Sequence, residues 1–236
     1  MTLARSAFLR GVLHALPFVV VIVPFAMLFG LLASDAGLAP WEVFGFSLSV
    51  FAGASQFAAL QLMQDKAPVL VILATALAVN LRMVMYSVAL APHFGAAPFR
   101  IRAVMAYFLV DQSFALSVAE FEKRGDITMA ERVAYFFGTV TPIAPLWMAS
   151  AVAGSVMGRA IPAGFALDFA VPITFLAMAA PMIGTPAHIA AAVVSVIAVL
   201  SLQHLPYGTG LLVAGAAGML AGASVEVVTY GKAWRA

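Results

Sequence analysis

The sequence predicts an all-α integral membrane protein of about seven to eight transmembrane helices, several interrupted by proline or glycine. Three observations predict it. Hydrophobic residues fill 64% of the 236 positions and charged residues only 9%, whereas soluble domains carry about 25% charge. Mean hydropathy is +1.06. The apolar sequence also falls into runs of about 20 residues, the length that crosses a hydrocarbon core. No stretch is polar enough to form a separate soluble domain, so residues 1–236 are expected to form a single polytopic membrane domain.

Eight candidate spans follow in order: 11–33, 41–63, 67–91, 101–120, 132–157, 163–183, 186–203 and 207–229. The first follows the short basic stretch MTLARSAFLR, as a signal peptide would. The run from Gly11 to Ala33 is longer than a signal core, so an uncleaved first helix is expected. The second follows DAGLAP and contains FAGASQFAAL, where small residues around Gln56 allow a local break. The third lies between QDKAP and PHFGAAPF, and the fourth runs on to EKRGD. The fifth carries Pro142 and Pro145, the sixth Pro172 and Pro181, and the first Pro17 and Pro24. Each of these prolines removes a backbone hydrogen bond and can kink or interrupt its helix. The shared proline design of the first and fifth spans hints at an internal repeat. Only Gly184 and Thr185 separate the sixth and seventh, which suggests a tight or re-entrant hairpin and leaves seven spans as the alternative. GSVMG at 154–158 and GMLAG at 218–222 have the small-xxx-small spacing of close helix packing.

Orientation follows from lysine and arginine. With eight spans and the N-terminus inside, Arg5, Arg10, Lys66, Lys123, Arg124, Arg132, Lys232 and Arg235 lie inside. Arg100, Arg102 and Arg159 lie outside, and Arg82 is within a span. Eight against three places both termini inside, with Arg100 and Arg102 dissenting.

Function is read from polar residues inside apolar runs. Arg82 sits near the middle of the third span and Asp111 near the middle of the fourth. A lone charge at mid-depth costs roughly 2.5–3.5 kcal/mol on insertion scales, so it faces a partner or a water-filled cavity. Counted from the connection between the two spans at 1.5 Å per residue, both lie about 14 Å deep. An Arg82–Asp111 pair is therefore expected, either as a structural ion pair or as a charged site opened and closed in transport. Around it stand Asn80, Tyr86 (i,i+4 from Arg82), Gln112 and Ser113. On the second span Gly53, Ser55 and Gln56 would expose backbone at a break and bind substrate, or Gln56 would only bridge helices. Asp168 is expected at a helix start and Glu226 near a helix end. The chain has no cysteine, its four histidines are scattered, and no Walker A, HExxH or GxGD motif is present. Metal, cofactor, nucleic acid and enzymatic chemistry are not expected.

The blocks FAGASQFAALQL, NLRMVMYSVALAPHF, DQSFAL, LDFAVPITFLA and LPYGTGLLVAGAAG strongly resemble the AzlC family, large subunits of bacterial branched-chain amino-acid exporters. The resemblance runs from about Gly11 to Gly222. It implies a secondary transporter in the bacterial cytoplasmic membrane that exports L-valine and related neutral amino acids. It also implies a small membrane partner of the AzlD type. Members commonly have histidine where this chain has Met83 and glutamate where it has Gln112, which bears on substrate range and proton coupling.

An amino acid brings a carboxylate for Arg82, an ammonium for Asp111 and a side chain for the aliphatic walls. Asp111 could instead carry a coupling proton. The alternatives are a transporter or channel for another small polar solute, and a membrane scaffold that transports nothing.

Overall fold

The structure is a computed structural model that describes residues 3–125, 127–158, 183–205 and 209–230. The described residues contain helices and no strand: α1 (Leu3–Asp35), α2 (Pro40–Ser49), α3 (Gly53–Gln64), α4 (Val69–Phe94), α5 (Phe99–Tyr107), α6 (Asp111–Lys123), α7 (Met129–Gly158), α8 (Pro186–Ser201) and α9 (Thr209–Tyr230). Among them, α1, α4, α7 and α9 have the length and hydropathy to cross a membrane, and α8 is apolar but shorter. That is fewer than the seven or eight crossings expected from sequence. The expected spans at 41–63 and 101–120 are each two short helices parted by three residues, 50–52 and 108–110. Residues 163–182 of the sixth expected span, with Asp168, Pro172 and Pro181, lie outside the described residues.

Proline does not make these breaks. Pro17 and Pro24 stay inside a continuous α1, and Pro142 and Pro145 inside a continuous α7. Neighbouring helices and small backbone adjustments can satisfy the carbonyl that each proline frees. Helix ends are better marked. Gly37 closes α1 at φ +89°, with Leu38 N–H bonding Ala33 O and Gly37 N–H bonding Ser34 O, the pattern of a Schellman cap. Thr128 and Glu131 cap the start of α7 reciprocally, Thr128 N–H donating to Glu131 Oε2 at 3.0 Å and Glu131 N–H to Thr128 Oγ1 at 3.3 Å.

The chain forms two compact units, Met1–Leu60 with Val79–Phe165, and Gln61–Ala78 with Ala166–Ala236. The first is built on α1 and α7, which run side by side in the same direction. Glycines set their separation. A Cβ on Gly11 would lie 3.0 Å from Gly138 Cα, and one on Gly30 would lie 2.8 Å from Ser155 N. The two helices are therefore in backbone contact at both levels.

Against this pair the two broken segments fold as hairpins. Phe29 of α1 meets Phe46 on α2 and Phe57 on α3, at 5.7 and 5.6 Å between ring centroids, so the chain doubles back after Ser49. On the other side Tyr86 stacks on Phe114 near the start of α6, while His93 and Phe94 meet Phe121 near its end. α6 thus runs along α4 toward the level at which α4 ended, and α5 between them makes the inward leg. The C-terminal end of α4 lies beside the N-terminal end of α7, where Arg132 Nη1 donates to His93 O at 3.3 Å. There too α1 is tied to α6 by Arg10 Nε and Glu120 Oε1 at 3.2 Å.

The α2–α3 hairpin therefore starts from the C-terminal end of α1 and the α5–α6 hairpin from its N-terminal end. Their tips meet: Phe51 stacks on Tyr107 and packs edge-on against Phe108, at 6.2 and 5.7 Å, and Tyr107 Oη donates to Leu48 O. One long helix followed by a broken hairpin occurs twice, as α1–α3 and α4–α6, in opposite senses. The repeat hinted at by the prolines of α1 and α7 is not this one; those two helices are packing partners.

In the second unit α8 and α9 form an antiparallel pair. Ser195 Oγ donates to Ala214 O at 3.3 Å, and Cβ atoms on Gly218 and Gly222 would lie 2.9 Å from Ala191 O and 3.2 Å from Ala191 Cβ. Large apolar side chains remain exposed on α1, α4 and α9, including Val20 at 78%, Leu70 at 79% and Val228 at 81%. Apolar exposure on that scale suits lipid or a membrane partner.

Candidate functional site

The site lies where α4 meets the tip of the α5–α6 hairpin, against which the α2–α3 tip is packed. Arg82 and Tyr86, one turn apart on α4, both reach Asp111, the first residue of α6. Arg82 Nη1 is 3.1 Å from Asp111 Oδ2, and Tyr86 Oη donates to Asp111 Oδ1 at 2.8 Å. Both members of the ion pair are 32% exposed. Tyr86 is held by Phe114, ring on ring at 4.1 Å and 9°.

Local chemistry puts Asp111 there. Val110 is extended at φ −134°, ψ 168°, and its N–H donates to Ser113 Oγ at 3.0 Å. Ser113 is fully buried and also lies 3.0 Å from Val110 O. That closure starts α6 at Asp111, where the helix end carries partial positive charge and favours a carboxylate. Gln56 has the corresponding place on the other hairpin. Fully buried, it donates through Nε2 to Val50 O at 2.8 Å and so closes the α2–α3 break.

Arg82, Tyr86 and Asp111 thus form one bonded cluster, while Ser113 and Gln56 brace the two tips. Gly53 is a packing position: a Cβ there would lie 2.6 Å from the Trp147 ring and 3.1 Å from Phe25. Ser55 is fully buried beside Gln56, and Gln112 is half-buried in the first turn of α6. Asn80 stands two residues before Arg82. Its Oδ1, Arg82 Nε and Gln56 Oε1 are buried with no hydrogen-bond partner among the described residues. An unpaired buried polar group costs about 1–3 kcal/mol, so each of these atoms invites a polar ligand or water. Among the described residues no three His, Cys, Asp or Glu side chains gather into a metal site.

Sequence reasoning missed a second ionic cluster at the N-terminal end of α1. Glu120, 5% exposed, holds both Arg10 and Arg124, at 3.2 and 3.3 Å, and His14 Nδ1 is 2.8 Å from Tyr135 Oη. The available signal was the i,i+4 spacing of Glu120 and Arg124, hidden in a stretch that looks like loop.

With this geometry in place, comparison with known proteins is informative. Residues 17–161 match the family described as AzlC protein. The chain belongs to the AzlC family. It is 28% identical over 225 residues to an uncharacterized membrane protein of Archaeoglobus fulgidus, covering 93% of this chain and 96% of that one. It is 27% identical over 177 residues to the inner membrane protein YgaZ of Escherichia coli K12, covering 72% and 71%. No solved structure matches. This AzlC chain is accordingly a membrane protein, and its charged cluster between broken helices is consistent with a membrane transporter.

Proposed function

We propose that this AzlC protein is the large subunit of a secondary transporter that exports branched-chain and other neutral apolar L-amino acids, L-valine among them, and catalyses no chemical reaction. The observation that carries the proposal is the Arg82–Asp111–Tyr86 cluster at the meeting of two oppositely directed hairpin tips. Transporters place substrate at such points because discontinuous helices offer helix ends and free backbone groups at mid-depth. α3 and α6 both begin at the tips, so two positive helix ends converge there. Opening the ion pair frees a guanidinium for the substrate carboxylate and a carboxylate for its ammonium, while the orphaned atoms of Asn80 and Gln56 can take up further contacts. Asp111 is also the candidate carrier of a coupling proton.

In this arrangement α1, α4, α7 and α9 cross the bilayer, and the two hairpins enter it halfway from opposite faces. The α5–α6 hairpin brings Arg100 and Arg102 to the same end as Arg5, Arg10, Lys123, Arg124 and Arg132. Their dissent from the positive-inside rule then disappears, while Lys66, expected inside, falls at the opposite end between α3 and α4; the end richer in arginine and lysine is the cytoplasmic one. Both termini are placed in the cytoplasm, with Lys232 and Arg235 following the last span. The small AzlD-type subunit is the proposed partner, seated on exposed apolar helix faces.

The test is efflux of labelled L-valine from vesicles carrying this chain with and without the AzlD-type subunit. Valine efflux only when both are present is expected. Full efflux from this chain alone overturns the partner, and no efflux from the pair overturns the substrate.

A further inference from the structure

Between α4, α5 and α7 lies a groove of about 220 Å³, open to the surface along Ser87, Ala91, Arg102 and Ala106, which are exposed. Its wall is aliphatic and aromatic: Leu90, Met105 and Leu109 are at most 6% exposed, and Phe136 is buried beside them. Two polar side chains also line it, Ser87 and Arg102. Arg102 stands in the first turns of α5, toward the end rich in arginine and lysine, and no carboxylate lies within ion-pair distance of it among the described residues. Ser87 and Leu109 mark the other end. Ser87 follows Tyr86 directly, and Leu109 is two residues before Asp111. The groove therefore runs from the basic end of this unit toward residues that neighbour the charged cluster in sequence, and none of the cluster's own side chains lines it.

We propose that this groove is the cytoplasmic access chamber for the amino acid, in which Arg102 receives the carboxylate and the Leu90–Met105–Leu109 wall selects an aliphatic side chain. The proposal rests on the export function above and adds where selection begins. Size agrees with it. An apolar protein cavity of about 150 Å³ holds benzene, a ligand of six heavy atoms. In proportion, this chamber takes roughly eight or nine, as in valine or leucine. Charge agrees as well, since an unpaired guanidinium attracts a carboxylate and repels a simple amine. Burying a valine side chain favours valine over glycine by roughly tenfold in affinity.

The chain contains no cysteine, so a single thiol reports on the chamber without background. Ser87 is a gentle place for it, because its hydroxyl only returns a bond to Met83 O within α4 at 2.8 Å. Ala91→Cys, on the same wall, is an independent second position. The experiment measures alkylation of each variant by N-ethylmaleimide in vesicles that also carry the AzlD-type subunit and are assayed for valine efflux. L-valine should slow labelling at least fivefold and glycine should not. Adding Arg102→Gln should abolish protection at the same valine concentration, whereas Arg100→Gln should keep it. Efflux without protection at either position overturns the chamber alone, as does protection that survives Arg102→Gln. Protection by octanoate but not by valine shows a lipid-chain site and also overturns it. Absence of valine efflux overturns both the chamber and the export function.

Discussion

Asp111 and its two partners form the charged cluster on which the proposed function rests, and the sequence revealed them because charges are rare in apolar runs. Equal depth predicted the pair, and the pair forms, but by another route. The sequence suggested two spans joined as a hairpin; instead Asp111 sits at the tip of a half-length hairpin whose inward leg, α5, is about as long as the stretch of α4 from Tyr86 to Phe94. Two predictions belong here. Removing one member of this half-buried pair strands a charge in apolar surroundings, which costs more than removing both. Arg82→Ala should thus destabilise the detergent-solubilised protein more than Arg82→Ala with Asp111→Ala, the two sites coupling by about 0.5–2 kcal/mol in a thermal-unfolding cycle. Simple additivity would mean that the residues act independently. Asp111→Asn keeps the size and an acceptor but cannot ionise. If Asp111 carries the proton, exchange of labelled valine survives while gradient-driven accumulation fails; if it binds the ammonium, both fall together.

Elements were legible to different degrees. The long helices α1, α4, α7 and α9 follow the expected spans within a few residues at most ends because length and hydropathy alone define them. The break before Gly53 had a signal in FAGASQ. The break at 108–110 had none, since Phe108, Leu109 and Val110 contain neither glycine nor proline. Its trace is the polar start DQS, with an acidic residue at the first helical position and a serine that caps the turn. The prolines misled because bulk membrane helices tolerate them. Lys66 gives an element-scale prediction. It ends α3 at φ 54°, a left-handed conformation that burdens a side chain and suits glycine. Lys66→Gly should raise stability by about 1 kcal/mol, read as a higher midpoint of thermal unfolding; a lower midpoint would show that the side chain matters more than the backbone. At the α1–α7 contact the opposite holds. Gly138→Leu would drive a side chain into the backbone at Phe8 and Gly11, and well under half the wild-type amount of folded protein should be recovered by size-exclusion chromatography. Wild-type yield would contradict the close packing.

On the scale of the molecule, two hairpins pointing at each other make one site from two half-depth elements, and no local pattern announces that. The near-matching strings SQFA at 55–58 and QSFA at 112–115 become meaningful only once both are seen beside a tip. In the proposed transporter the opposed tips would supply what alternating access needs, each hairpin closing the site toward its own side of the membrane. The most direct measurement is exchange of labelled L-valine in proteoliposomes holding this chain with its AzlD-type partner, comparing wild type with the folded Arg82→Ala, Asp111→Ala double variant. Exchange by the wild type and a loss of at least a hundredfold in the double variant is the predicted result. Undiminished exchange by the double variant would contradict a transport site at the hairpin tips.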